Sequence, residues 1–264
     1  MSDTTHIAWC HHTASPWYGC RKVSEGCVNC YMFAWMKRAG LDTSKRHRSK
    51  SFDKQCRKWD RQAHVSHDLE RPRVFPSLCD PFDTEAPLEW FNDMMVTVDA
   101  CRDIDFLLLT KRPENVMPLW SKVLAHWGRT DTALPPNVWL GVTCENQATA
   151  NKRVPILREI PAKTRWLSIE PILERINLEM TCTGCHTCDF APHWHGVIDW
   201  VVVGGESGPN YRDIDVKCII DIANQCEWAD KVPCFVKQDA YTRPGKQGRI
   251  PESVWRIKEF PLCR

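Results

Sequence analysis

Polar and apolar positions along the chain fall into a repeated alternation of two kinds of segment. Short apolar runs occur at Arg73–Leu78, Asp105–Thr110, Val138–Thr143, Arg165–Ile169, Trp200–Gly204 and Pro233–Val236. They are rich in β-branched, leucine or aromatic residues, and none alternates cleanly, which is the pattern of strands covered on both faces. Helix-like stretches lie between several of them, at Pro87–Asp99, Pro113–Trp127, Ala148–Glu159 and Asp215–Ala229. Strand followed by helix, repeated, predicts a parallel sheet with crossover helices. His6–Trp9 offers one further strand at the start. The expected fold is α/β, a partial or complete TIM-like βα barrel over residues 1–240, with a C-terminal tail over 241–264 packed on it.

The C-terminal edges of these runs carry chemistry. They read Ser77-Leu78-Cys79-Asp80, Thr110-Lys111-Arg112-Pro113, Thr143-Cys144-Glu145-Asn146, Ser168-Ile169-Glu170-Pro171, Gly204-Gly205-Glu206-Ser207-Gly208 and Lys237-Gln238-Asp239. In a parallel barrel such ends share the face on which active sites sit. Polar loops account for one or two charged or amide-bearing ends; all six ending this way points to a site.

Composition narrows the class. A chain of 264 residues buries enough surface to need no disulfides. The balance of 35 basic against 33 acidic residues excludes a polycation or an acidic tail. No apolar stretch reaches membrane-span length, and the start lacks a basic region followed by an apolar one, so a cytoplasmic protein is expected. The 13 tryptophans are spread along predicted elements and read mostly as core. The 15 cysteines are odd in number and argue against a disulfide framework.

Two groups of cysteines cluster. Cys20, Cys27 and Cys30 stand at C-x6-C-x2-C within a loop over residues 17–31. Three thiolates hold three corners of a [4Fe–4S] cluster and leave the fourth iron open to a ligand. Zinc would take His11 or His12 as a fourth ligand, and unliganded thiols are the third reading. The second group lies at 181–196, where Cys182, Cys185 and Cys188 precede His193 and His195. This reads as a metal-binding insertion, with three cysteines and one histidine closing a structural zinc site or with an auxiliary cluster in its place, and a segment that binds neither is the third reading. The remaining cysteines, Cys144, Cys218, Cys226 and Cys234 among them, read as buried and structural.

Residues 37–73 hold 12 Lys/Arg against 5 Asp/Glu, with Phe52 and Trp59 interleaved. A solvated helix and loop explains this, and so does a surface that tracks a nucleic-acid backbone.

His6–Tyr31, with Trp17-Tyr18-Gly19-Cys20 and Gly26-Cys27-Val28-Asn29-Cys30-Tyr31, resembles the phage and bacterial three-Cys-motif family of uncharacterised proteins. The resemblance extends through Ser77–Pro87, Leu109–Glu114, Leu140–Asn146, Leu167–Leu173, Trp200–Pro209 and Phe235–Gln238 to Arg243-Pro244-Gly245. That family is similar to radical S-adenosylmethionine (SAM) enzymes, whose hallmark is C-x3-C-x2-C; here the first interval is six residues. The resemblance implies a [4Fe–4S] cluster on Cys20, Cys27 and Cys30 with SAM at the open iron. It places Ser77 and Asp80 at the methionine ammonium and Glu145 or Glu170 at the ribose. Gly204 and Gly205 would admit a flat ligand, and Lys111, Glu206, Lys237 and Gln238 would meet the methionine carboxylate or the substrate.

The reading that follows is an iron–sulfur enzyme doing SAM-dependent radical chemistry on an unidentified substrate, with nucleic acid or a nucleotide preferred and a partner protein left open. The alternative is a non-catalytic zinc-binding adaptor for nucleic acid or protein. A metal-dependent hydrolase is disfavoured, since no H-x-H or paired-Asp motif sits at a strand end.

Overall fold

The computed structural model describes residues 5–66, 70–181, 194, 197–229 and 231–261. The chain divides into two compact units. The first comprises Met1–Val23, Cys30–Leu140 and Ile160–Lys163, and the second Ser24–Asn29, Gly141–Glu159 and Thr164–Arg264.

In the first unit the chain runs through β1 (His12–Thr13), β2 (Trp17–Tyr18), α1 (Tyr31–Arg38), β3 (His47–Arg48), α2 (Phe52–Ser66), β4 (Arg73–Phe75), α3 (Leu88–Ala100), β5 (Asp105–Thr110) and α4 (Val116–Trp127). It then enters β6 (Val138–Thr143), which continues into the second unit. β1 pairs parallel with β4, His12 opposite Val74, and β4 pairs parallel with β5, Arg73 opposite Asp105. β2 and β3 form a separate antiparallel pair.

The helices follow from their apolar spacing. α3 buries Phe91, Met94, Met95 and Val98, and α4 buries Val116, Leu119, Trp120, Val123 and Leu124. Both sets recur at three- and four-residue intervals, one stripe of an α-helix. α4 stops at Gly128, whose φ of 65° is left-handed, while the Gly128 and Arg129 N–H groups close back on Ala125 and Leu124. α2 has a narrower stripe of Phe52, Cys56 and Trp59, and Trp59 stacks on the His12 ring at 4.2 Å. The basic segment therefore folds largely as a helix anchored by a single apolar edge.

The second unit continues with α5 (Gln147–Glu159), β7 (Thr164–Ile169), β8 (Trp200–Gly204), α6 (Lys217–Trp228), β9 (Cys234–Gln238) and α7 (Glu252–Trp255). β7 pairs parallel with β8, and β8 with β9, with a register shift between Val203 and Gly204. Every residue of β6 and β8 is buried, which is why the sequence shows no alternation there. The strands of the main sheet follow the order β1-β4-β5-β6-β7-β8-β9. The tail after α7 lies along β9: Val236 donates to the Ile257 carbonyl, Glu259 to that of Cys234, and the Trp200 indole to that of Glu259.

The expected α/β class with parallel strands is thus present, and β5, β6 and β8 have the predicted limits. Two expectations differ. His6–Trp9 is no strand: the Cys10 N–H turns back to the Ile7 carbonyl, and Trp9 packs on Phe75, so the first strand begins later, at His12. The run Arg73–Leu78 ends as a strand at Phe75, because Pro76 has no N–H to give the ladder and the Leu78 N–H goes to the Ser15 hydroxyl. The insertion at 181–196, with Cys182, Cys185, Cys188, His193 and His195, lies outside the described residues except for Thr181 and Trp194. Among the described residues no helix is long and apolar enough to cross a membrane.

Gly141 in β6 faces the Trp166 indole so closely that an added Cβ would stand 2.3 Å from a ring carbon. Gly141→Ala should lower stability by about 1–3 kcal/mol. Urea unfolding of the two proteins checks this, and an unchanged midpoint would show that the indole can move aside.

Candidate active site

The strand ends of the first unit are organised around Asp80, which is buried after β4. Its Oδ1 accepts the Thr110 hydroxyl at 2.7 Å and the Phe82 N–H at 3.0 Å. Its Oδ2 accepts the Lys111 N–H at 3.1 Å and Nη1 of Arg112 at 2.9 Å. The Arg112 guanidinium also points both terminal nitrogens at Cys20 Sγ, at 3.6 and 3.7 Å, and donates to the Arg21 carbonyl. Beside it Asp83, nearly solvent-free, pairs with Arg46 at 2.7 Å. Asp80 in this structure is a holder of Arg112, and Arg112 in turn holds Cys20.

Cys20 and Cys30 share one small apolar cluster, packed with Tyr18, Phe33 and Trp35 against Met32, Met36 and Leu78. Cys30 directly precedes α1 and Cys20 follows β2. Gly19, between Tyr18 and Cys20, has a φ of 108° and lies so near the Lys45 carbonyl that no side chain fits. Ser77 is half-buried, and its carbonyl accepts the Tyr31 hydroxyl at 2.6 Å. The Lys111 side chain is half-buried after β5.

In the second unit Cys27 is buried at the end of a short 3-10 turn over Glu25–Cys27, its sulfur 3.9 Å from the Ser24 hydroxyl. Asn29 donates to Glu206 Oε2 at 2.9 Å and to the Asn210 carbonyl at 2.7 Å. Arg212 grips the same carboxylate through Nε at 2.9 Å and Nη2 at 2.6 Å, and reaches the Glu25 carbonyl. Burial opposes ionisation of Glu206, but the hydrogen bonds from Arg212 and Asn29 hold its carboxyl below the ordinary range. Glu206 therefore ties the residues around Cys27 to the end of β8.

The other ends of this unit are paired as well. Glu145 is fully buried and receives Arg153 at 2.7 Å. Glu170, after β7, is paired with Lys237 of β9, and Gln238 of the same strand donates to the Gly205 carbonyl at 2.9 Å. Gly205 is required by space: a Cβ there would stand 2.2 Å from the Ala240 nitrogen. Gly204 accepts the Ile172 N–H, so both glycines are points of close backbone approach.

The structure thus brings Asp80 to Cys20 through Arg112 in one unit, and Glu206 to the Cys27 loop and Glu170 to Lys237 and Gln238 in the other. Among the described residues no three His, Cys, Asp or Glu side chains stand close enough together to hold a metal ion. Sequence reading passed over Arg112, Arg212, Asn29 and Arg153. Arg112 and Asn29 lay inside quoted motifs, next to the residues chosen; Arg212 and Arg153 carry no motif.

A family model described as "Protein of unknown function (DUF5131)" matches residues 4–252. The chain belongs to this family. The match takes in every strand end described above. No curated protein and no solved structure matches the chain.

Removing Arg112 leaves Asp80 buried without its cation, so Arg112→Leu should cost about 3–5 kcal/mol of stability in denaturant unfolding. Burial, then the Asp80 charge, push the Cys20 thiol from its ordinary 9.0 up to about 11. The folded state holds this proton more tightly than the unfolded chain. Its contribution is complete below pH 9 and is lost as the pH rises through about 11. Unfolding free energy should fall over that window, and fall less in Cys20→Ala.

Proposed function

We propose that the protein is an iron–sulfur enzyme of the radical SAM kind on a partial βα barrel, acting on a nucleic acid or nucleotide. The observation that carries this reading is the setting of Cys20, a half-buried residue whose sulfur faces two N–H donors of a guanidinium that is itself locked by Asp80. Donors of this kind suit a sulfur bearing negative charge, as a metal-bound thiolate does, and hydrogen bonds to ligand sulfurs tune the potential of such clusters. Cys30 lies in the same apolar cluster, and the C-x6-C-x2-C spacing in the sequence supplies three thiols, the donor type that a [4Fe–4S] cluster takes.

When bound, a reduced cluster would supply the electron for reductive cleavage of SAM. The work of the chain is to orient and exclude. Arg112 fixes the Cys20 sulfur, and Asn29 held by Glu206 fixes the backbone between Cys27 and Cys30. Ser77 remains the assignment for the methionine ammonium; Asp80, also expected there, has both oxygens taken by four donors and holds Arg112 instead. Glu145 or Glu170 is assigned to the ribose hydroxyls; Glu145 is held by Arg153 and fully buried, and Glu170 is held by Lys237. Lys111, Lys237 and Gln238 are assigned to the methionine carboxylate or the substrate. The second cysteine group, Cys182, Cys185 and Cys188 with His193 or His195, is assigned to zinc. The linear strand order from β1 to β9 supports a partial barrel.

The test is anaerobic reconstitution with iron and sulfide, followed by metal analysis and electron paramagnetic resonance of the reduced protein with and without SAM. The expected result is about four irons per chain and a signal that shifts with SAM, both lost in Cys20→Ala. About eight irons would move the second cysteine group from zinc to an auxiliary cluster. Zinc at both groups with no uptake of iron would overturn the proposal in favour of a zinc-binding adaptor.

A further inference from the structure

The first unit contains a cavity of about 470 Å³ on the β1 side of the Ser77 loop. That size falls in the range of sites for small organic ligands, about 300–1,000 Å³. Its wall is aromatic, with Tyr18, Tyr31 and Trp35 lining it, and Arg38 contributes a cation. Thr13 and Ser15 line it too. The rings are held from behind. The Tyr31 hydroxyl bonds the Ser77 carbonyl at 2.6 Å, and Tyr18 and Trp35 meet at a tilt of 44°, with centroids 5.0 Å apart. Arg38, in the exposed last turn of α1 beside Lys37, pairs with no acidic side chain among the described residues.

We propose that this cavity binds a nucleotide unit, its base against Trp35 and Tyr31 and its phosphate at Arg38. Aromatic faces accept any planar base without reading its edges. One guanidinium matches one phosphate in a fork geometry. An apolar ligand would leave Arg38 unmatched. The proposal rests on the reading above of a nucleic-acid or nucleotide substrate, but not on the cluster, because Cys20, Cys27 and Cys30 are not among the lining residues.

The experiment is calorimetric titration of the full chain, purified without added iron. The probes are AMP, UMP and short single-stranded DNA and RNA oligonucleotides. Binding is expected, weakening with added salt and dropping about tenfold or more in Arg38→Glu and in Trp35→Leu. Arg38 is exposed, so its variant should keep the melting temperature of the parent; Trp35→Leu is interpreted only alongside its own melting curve. Mononucleotide binding identifies the free nucleotide as the source of the ligand. Oligonucleotide binding alone, with the same sensitivity to both substitutions, identifies a nucleotide within a strand. No binding of any probe, or binding unchanged in Arg38→Glu, overturns the proposal. Because the protein is tested without iron, failure here leaves the metal analysis intact, and the converse also holds.

Discussion

A carboxylate with four donors on it governs the strand ends of the first unit. Asp80 takes hydrogen bonds from the Thr110 hydroxyl, two backbone N–H groups and the Arg112 guanidinium. Burying such a charge is costly unless its lone pairs are used, and here each oxygen accepts two hydrogen bonds. The return is geometric. Arg112 is held through Nη1 by Asp80 and through Nη2 by the Arg21 carbonyl, and both nitrogens also face Cys20. The loop after β4, the end of β5 and the chain after β2 are fixed by one group of charges.

Glu206 has the corresponding place in the second unit. Its carboxylate is shared between Arg212, which also holds the turn at Glu25, and Asn29, which sits within the C-x2-C step. In each unit, then, a strand-end acid restrains chain next to a cysteine through a nitrogen donor. The acids are committed to neighbours of the cysteines.

The strands were legible because β5, β6 and β8 are short, mainly apolar runs without alternation, as strands covered on both faces are. Helices α3 and α4 announced themselves by their stripes, although α4 proper begins only after a 3-10 turn over Pro113–Asn115. The first strand was misplaced because His6–Trp9 looks like a strand while its burial comes from one indole packed on Phe75. At the site, the acids stood out at strand ends, but their partners did not. Arg153, eight residues beyond Glu145, and Arg212, six beyond Glu206, look in sequence like ordinary surface cations. Their meaning is purely three-dimensional: each is the counter-charge that allows an acid to be buried.

The tail carries a last consequence. The family match ends at residue 252, at the first residue of α7, whereas the fold goes on. Lys258 lies 3.5 Å from the centre of the Trp255 ring and over Phe235, and Glu259 caps the Trp200 indole. A protein trimmed to the family boundary would strip these covers from β8 and β9. It would present bare aromatic surface to its neighbours and invite self-association, so the unit fit for expression is longer than the unit that homology marks out.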